Sequence, residues 1–406
     1  MRRRGGALLA GIGCLTLAAV TACATPQSAT PQSAVPASAP TAPVPGAPVA
    51  VASAMVSAIK TTPRASGAKS PRGSGTPPTG AGGTVSAVAL PAPGNPAGGA
   101  TVPAAGQAVD TSHPDHVIGD GTPASCTSAA VVTAVAAGGV ITFSCGPDPV
   151  TITMTATATV ASSSHQVVLD GGGKVTLSGG GKAQILSMNA GWQQQWPQLV
   201  VQNLAFTDAY SGTQQASGSS VYGGGAIFDE GGQLKVVNSA FTGDSCYASG
   251  PDLGGGAIRA VGMYPASPVY ITHDTFSGNS CSNGGALSGL YAAFDVINSV
   301  LAGNQAIGWG ANPAAAGTAG GGSGGAIYTD GNSYDLTVAG TVMRDNTARE
   351  GGGGIFFVVN AGGGTLRITG STLAHNPSGQ FQNAPGIFDS VNGQDTQPVV
   401  TGSSVA

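Results

Sequence analysis

The sequence predicts an all-β chain that winds into a parallel β-helix, a solenoid built from short stacked strands. Glycine is abundant, with 67 residues in 406, whereas charged residues make up only 8% of the chain. A short apolar pattern also recurs between residues 199 and 376, and no helical pattern separates its copies. Short strands that recur in this way cannot bury their apolar face alone, so each must stack on the next.

Each copy begins with alternating apolar residues, a pattern typical of a strand with one buried face. A large apolar residue follows, at Phe206, Phe241, Phe276, Leu301, Met343 and Leu373. Between the two lies a residue that tolerates left-handed backbone angles. The sequence therefore predicts a sharp bend at Asn203, Asn238, His273, Asn298, Gly340 and Gly370.

Two further elements complete the repeat. A second polar corner follows the large apolar residue, at Asp244, Asn279, Asn304, Asn346 and Asn376. Glycine runs then lead into another short strand, which begins at Ile227, Ile258, Leu287, Ile327 and Ile355. Each coil is thus predicted to hold three short strands and three corners, with equivalent side chains about 4.8 Å apart in neighbouring coils.

The repeated letters resemble those of a known class. "GGGAIF", "GGGAIR" and "GGAIYT", together with "FTGD", "FSGN", "LAGN" and "LAHN", are similar to repeats of chlamydial polymorphic outer membrane proteins and of bacterial surface proteins with the pectin-lyase-like right-handed parallel β-helix. The resemblance covers about 127–376. It implies a right-handed coil, and the repeat motif is moderately specific for fold and poorly specific for activity.

The first 110 residues indicate export and tethering. Residues 1–22 have three arginines and an apolar stretch, as in a secretory signal peptide, and "VTAC" resembles the bacterial lipobox, which predicts lipidation of Cys23. Residues 23–110 are rich in proline, alanine and serine and predict a disordered tether. Residues 111–406 are the predicted β-helix domain. The expected location is the bacterial cell envelope, with the domain facing outward and the lipid as its membrane contact.

Four cysteines remain in the predicted domain, and an even number in an exported protein indicates disulfides. Cys246 and Cys281 each lie five residues after a large apolar residue, so stacking places them in adjacent coils within bonding distance. Cys126 and Cys145 bracket a segment that predicts a short helix ending at Gly138 and Gly139, followed by a strand. We expect that helix to cap the open first coil.

The outward-facing residues of the strand after each glycine run form the predicted binding row. This row contains Phe228, Arg259, Ser288, Tyr328 and Phe356. Aromatic rings in an exposed stripe can stack on sugars, and similar grooves bind polysaccharide in the families that the chain resembles. Phe228, Arg259, Tyr328 and Phe356 are therefore candidate ligand-binding residues.

The sequence gives weaker evidence for catalysis than for ligand binding. Asp229 and Glu230 beside Arg259 form the suggestive cluster, whereas glycoside hydrolysis needs two carboxylates at a defined separation. Residues 111–406 contain 17 Asp and Glu against 7 Lys and Arg, which argues against nucleic acid as a partner. No cysteine or histidine spacing indicates a metal site, and no cofactor is expected except calcium if the chain were a lyase.

The expected function is therefore a lipid-anchored rod for adhesion or interaction, with glycans as the candidate ligand. The alternative is a polysaccharide lyase or glycoside hydrolase of the same fold. Whether the chain is an enzyme at all is left open by the sequence.

Overall fold

The computed structural model describes residues 92–212, 222–251, 253–311 and 320–406. The predicted signal peptide and Cys23 lie outside these residues. The described chain forms the expected all-β solenoid, in which nearly all strand pairs are parallel and link one coil to the next.

The strands fall into rows along the solenoid. Sheet 1 includes the strands that follow the glycine runs and comprises Ala158–Val160, Leu186–Asn189, Ile227–Glu230, Ile258–Val261, Leu287–Leu290, Ile327–Asn332, Ile355–Ala361 and Ile387–Val391, with Gln394–Asp395 added antiparallel at its end. A further short sheet directly follows the second polar corner and holds Ser280–Cys281, Gln305–Ala306 and Thr347–Ala348.

The remaining strands form two rows joined at the bends. Sheet 2 comprises His116–Ile118, Gly139–Phe143, Gln233–Val237, Val269–Thr272, Phe294–Ile297, Leu336–Ala339, Leu366–Thr369 and Val399–Thr401. Sheet 3 comprises Val150–Thr153, Ala240–Thr242, Thr275–Ser277, Val300–Ala302, Val342–Arg344, Thr372–Ala374 and Ser404–Val405. Gln166–Ser178 and Gln198–Thr207 run through both rows.

The large apolar residues stack as predicted. Phe206, Phe241 and Phe276 pair in register, and successive rings are parallel with centroids 4.7 Å apart. The column continues through Leu301, Met343 and Leu373, all fully or almost fully buried. This column and the inward residues of the other rows form one continuous core inside the solenoid.

The predicted bends adopt left-handed backbone angles. The φ values are positive at all six positions, at Asn203, Asn238, His273, Asn298, Gly340 and Gly370. The glycine runs are required by local backbone geometry as well. Gly255 has a φ of 75°, and a Cβ atom there would overlap the carbonyl oxygen of Ile258. A glycine is therefore required where the chain turns into sheet 1.

The second polar corner is an internal ladder of side-chain amides. The Asn304 Oδ1 accepts the backbone N–H of Asn279 at 3.0 Å and its side-chain amide at 2.9 Å. The same contacts repeat from Asn304 to Asn346 and from Asn346 to Asn376. The corner thus satisfies buried backbone donors that the bend removes from the sheets.

Asp244 occupies the first rung of this ladder. Its Oδ1 accepts the backbone N–H of Ala209 at 2.9 Å, as the asparagine oxygens do for the coil before them. Its Oδ2 stands where the other rungs have an amide nitrogen, is buried, and has no partner among the described residues. Burial raises the pKa of Asp244 well above its ordinary value, as it does for the pKa of the equally buried Asp229 and Asp274.

These three acids predict a protein that is more stable in mild acid than in mild alkali. Because burial raises each pKa, the folded state binds more protons than the unfolded chain between pH 4 and the folded pKa, and stability falls as the pH rises through that window. We expect urea unfolding to give a higher free energy at pH 5 than at pH 8. Asp244→Asn restores the amide donor, so it should stabilise the protein at pH 8 and reduce this slope. A variant less stable than the parent at pH 8 would contradict the assignment.

Both predicted disulfides are present. Cys246 and Cys281 bridge adjacent coils with Cα atoms 4.7 Å apart, and Cys126 and Cys145 are bonded with Cα atoms 5.7 Å apart. The predicted helix is Ser128–Ala137, with the Thr127 hydroxyl capping its start and Gly138 at its end. It packs against Ala158–Val160, the terminal strand of sheet 1, and so covers the open coil.

The predicted tether boundary at residue 110 lies inside an ordered segment. Residues 92–111 run along the outside of the solenoid and include a 3-10 helix at Ala104–Gly106. Side chains of several coils hydrogen-bond this segment, which explains its order despite a composition poor in large apolar residues. The part of the predicted tether before residue 92 lies outside the described residues.

Candidate functional site

The predicted binding row stacks in register on the outer side of sheet 1. Phe228 pairs with Arg259, Arg259 with Ser288, Ser288 with Tyr328, and Tyr328 with Phe356. The rings of Tyr328 and Phe356 are parallel, with centroids 4.9 Å apart. The order of the row is therefore as predicted.

The predicted exposure of this row is wrong. Phe228 is 7% exposed, Arg259 1%, Tyr328 9% and Phe356 5%. One cause is the corner loop before Ile258–Val261, because a Cβ at Gly254 would lie only 2.9 Å from the Arg259 Nη1. The other cause is stacking, since Tyr328 stacks on Phe356 and Phe356 stacks on Phe388, which covers faces of these rings.

The suggested catalytic cluster is not assembled. Asp229 pairs with Ala260, which belongs to the interior core, so its carboxyl faces inward. Arg259 lies on the other side of the sheet, where its Nη1 donates to the Ser288 hydroxyl. Glu230 lies near the end of its strand and accepts the Asn189 side-chain amide at 3.0 Å. A sheet therefore separates the Asp229 carboxyl from the Arg259 guanidinium.

A groove of about 560 Å³ remains at the C-terminal end of the row. Tyr328, Phe356 and Phe388 line one side, and Phe381 meets Phe388 edge to face at 4.8 Å. Asp330 and the Asn360 amide, 2.6 Å apart, add polar groups. Sequence analysis found Tyr328 and Phe356 but not the two phenylalanines, which lie after the last full repeat.

A second cleft lies at the corner between sheets 1 and 2 and has a volume of about 360 Å³. We call it the corner cleft. Its walls come from the turns that follow Ile258–Val261, Leu287–Leu290 and Ile327–Asn332. The lining residues that matter chemically are Tyr264, Tyr291, Asp295, Tyr334 and Asp335. The cleft combines aromatic rings and carboxylates, whereas the side chains of the predicted row are buried.

Trp192 extends one aromatic wall of the corner cleft. Its ring meets Tyr291 at 5.1 Å with an angle of 64° between the planes, and 44% of its surface remains exposed. A Cβ at Gly262 would overlap the Trp192 ring, and the Gln193 N–H donates to the Gly262 carbonyl at 2.6 Å. Trp192 is thus held in place by the neighbouring coil while its outer face meets solvent.

Asp295 is a half-buried carboxyl in the lining of the corner cleft. Burial raises the pKa of the Asp295 carboxyl, the Thr337 side chain opposes that rise by hydrogen bonding, and the charge of Asp335 adds to it. Asp335 is exposed and accepts the backbone N–H of Thr365 at 2.8 Å, which fixes its carboxylate. The cleft therefore presents two acids in different environments, an arrangement that suits hydroxyl recognition and proton transfer.

The corner cleft was missed because its aromatic residues lie in turns that do not repeat, although Asp295 lies in the repeating strand Phe294–Ile297. One signal was available in the sequence. The polar stretch "NAGWQQQWP" at 189–197 holds two of the three tryptophans of the chain. Tryptophan in a polar surface loop is more often a contact residue than a core residue.

Two features of the described residues bear on ligand and membrane. They contain no group of three or more histidine, cysteine or acidic side chains placed to hold a metal ion. None of their helices is long and apolar enough to cross a bilayer.

Comparison with known protein families, characterised proteins and solved structures finds no match to this chain. The fold and the clefts therefore carry the functional argument by themselves.

Proposed function

We propose that this chain is an exported, envelope-anchored interaction rod that binds glycan through the corner cleft. The observation that carries the proposal is the wall formed by Trp192 and Tyr291 beside Asp295 and Asp335. Sugar rings stack on aromatic faces while their hydroxyls donate to carboxylates, so this pairing of groups suits a saccharide. Export and anchoring rest on the signal-peptide and lipobox patterns and on the resemblance to bacterial surface proteins, with two disulfides as further support.

The charge of the surface limits the class of glycan that can bind. Residues 111–406 are strongly acidic, and the corner cleft contributes two acids of its own. Neutral polysaccharides and amino sugars therefore fit better than uronic-acid polymers or nucleic acid, which the cleft would repel.

The test is retention of the purified chain on an array of polysaccharides, with and without calcium. Tyr291→Ala should weaken binding about tenfold, because a lost stacking contact costs about 1 to 1.5 kcal/mol. Tyr247→Ala removes an exposed tyrosine that does not line the cleft and serves as the matched control. Equal binding by both variants would reject the corner cleft as the binding site, and no retention of the parent chain would indicate a passive spacer.

A glycoside hydrolase is the second candidate, and the unequal environments of Asp295 and Asp335 favour it. Glycoside hydrolysis uses one carboxyl as an acid and a second as a base or nucleophile. A hydrolase should release new reducing ends, and Asp295→Asn should abolish that release while binding persists. Unsaturated, calcium-dependent products would instead indicate a lyase. Binding without either product supports the rod.

A further inference from the structure

The ordered segment 92–111, here called the strap, lies across successive coils on the side of sheet 2 near its bends. Ala92 and Pro93 lie beside Asn203 of an early coil, and the Gly94 N–H donates to the Thr275 hydroxyl of a later coil at 2.8 Å. The end of the strap meets an early coil, where the Thr111 hydroxyl donates to the Asp170 carboxylate at 2.7 Å. The strap therefore advances along the solenoid as far as Asn298, which holds Ala100, and then returns against the direction in which the coils advance.

Two side-chain amides bind the strap by its backbone. The Gln202 Oε1 accepts the N–H of Val109 and its Nε2 donates to the carbonyl of the same residue, both at 2.9 Å. Asn298 repeats the arrangement on Ala100, at 3.0 Å and 2.8 Å. A side-chain amide paired in this way binds the backbone N–H and C=O of one residue without contacting the side chain of that residue.

Two further contacts are of the same kind. The Lys235 Nζ donates to the carbonyl of Gln107 at 2.7 Å, and the Thr272 hydroxyl donates to the carbonyl of Gly106 at 3.0 Å. Gln202, Lys235, Thr272 and Asn298 therefore form a row on successive coils, which we call the track. All four are less than 7% exposed beneath the strap, so the track is a built surface rather than a set of mobile side chains.

Two glycines of the strap lie where the track leaves no room for a larger side chain, so the track selects for glycine at these positions. A Cβ at Gly98 would lie 2.6 Å from the Asn298 Oδ1 and 2.7 Å from the Gly340 carbonyl oxygen. A Cβ at Gly106 would lie 3.0 Å from the Tyr270 ring. The track thus fits a chain with glycine at both positions, which the strap provides at a turn closed from Gly98 to Asn95 and at the end of the 3-10 helix Ala104–Gly106.

The strap is held by few apolar contacts. Its only regular element is Ala104–Gly106, and most of its residues are exposed. Segments with exposed backbone bonds and little apolar burial open at low free energy. Just after the strap, the Asp115 N–H donates to the Val140 carbonyl at 2.8 Å, and the Asp115 carboxylate accepts the Val140 N–H at 2.7 Å. These two bonds anchor the chain to the first coil, so the strap can lift without opening that coil.

We propose that the track is a docking surface for a proline- and glycine-containing chain, that the strap is its occupant in cis, and that the strap of a second copy of this chain binds it in trans. A strap from the same chain and a strap from a second copy would make the same contacts with the track. The two arrangements differ only in whether Ser112, His113 and Pro114 link the strap to the solenoid that it contacts. High local concentration favours the cis strap, so exchange requires that the strap first lifts. Reciprocal exchange joins two copies symmetrically.

The experiment uses the full chain and a labelled peptide of residues 92–111. Gly94→Val and Gly98→Val together place side chains against the backbone of His273 and Gly340 and should release the strap. Amide exchange at Ala100 and Val109 should then accelerate at least tenfold, and the peptide should bind this variant at least tenfold more tightly than it binds the parent chain. Gly99→Val is the matched control, because nothing lies within 4 Å of a Cβ there.

Two additional variants test the track itself. In the released chain, Gln202→Glu and Asn298→Asp keep the side-chain shape but remove the amide donors, so peptide binding should fall at least tenfold. A folded released chain that fails to bind the peptide overturns the proposal. Unchanged protection of Ala100 and Val109 in the glycine variants overturns it equally, because the strap would then be held by something other than the track.

Discussion

Asn304→Leu is expected to lower the free energy of unfolding by about 2 to 5 kcal/mol, because the Asn304 side chain connects three coils. Its Oδ1 accepts two hydrogen bonds from Asn279, and its Nδ2 donates to the Phe276 carbonyl and to the Asn346 Oδ1. Leucine has a similar volume but leaves the Asn279 N–H without that acceptor in a buried corner. A buried donor or acceptor without a partner costs about 1 to 3 kcal/mol.

Urea unfolding of the purified chain measures this loss. Gln305→Ala is the matched control, since Gln305 is the exposed next residue and should change stability by less than about 0.5 kcal/mol. Asn304→Asp gives a second comparison, because it recreates the carboxyl that Asp244 has at the first rung. Its cost should shrink as the pH falls, as the added carboxyl becomes a donor. A loss below about 1 kcal/mol for Asn304→Leu would show that water satisfies the corner instead.

The parts of the fold that follow from repetition could be predicted from the sequence. The six left-handed bends, the phenylalanine column and the Cys246–Cys281 bond each depend only on the placement of equivalent residues in adjacent coils. Once the strand period is known, stacking fixes these neighbours without knowledge of any loop. This is why the predicted register of Phe228 and Arg259 is also found.

The parts that depend on non-repeating segments could not be predicted. The row at Phe228 was expected to be exposed, but a corner loop and ring stacking bury it. The Trp192 wall depends on a turn of one coil meeting Gly262 of another, and the strap depends on side chains of distant coils. Neither contact has a periodic signature, because each occurs once along the solenoid.

Asp229 and Arg259 illustrate a different limit. They lie one coil apart in register order, yet alternation along a strand sends their side chains to opposite faces. Stacking of the coils therefore brings the backbones of these two residues close together but leaves the carboxyl and the guanidinium on opposite sides of the sheet. The same alternation does bring Tyr328 and Phe356 together, since they occupy the same position in adjacent coils.

Phe241→Ala should destabilise the protein by about 3 to 5 kcal/mol, because Phe241 is the central ring of the core column. It is fully buried between Phe206 and Phe276, with centroids 4.7 Å away on both sides. Truncating a buried phenylalanine loses its transfer free energy and leaves a cavity that a rigid core fills poorly. Here the coils above and below are tied by parallel strands and by the Cys246–Cys281 bond, so they have little freedom to collapse into the space.

Phe241→Leu is the informative partner of that variant. Later coils place Leu301 and Leu373 at the same position of the column, so the solenoid already accommodates leucine there. We expect Phe241→Leu to cost less than Phe241→Ala by at least about 1.5 kcal/mol, since it keeps most of the buried volume. Thermal and urea unfolding at one pH give both values. Equal losses for the two variants would mean that ring stacking, rather than filled volume, holds the coils together, and that the leucine coils are stabilised by other contacts.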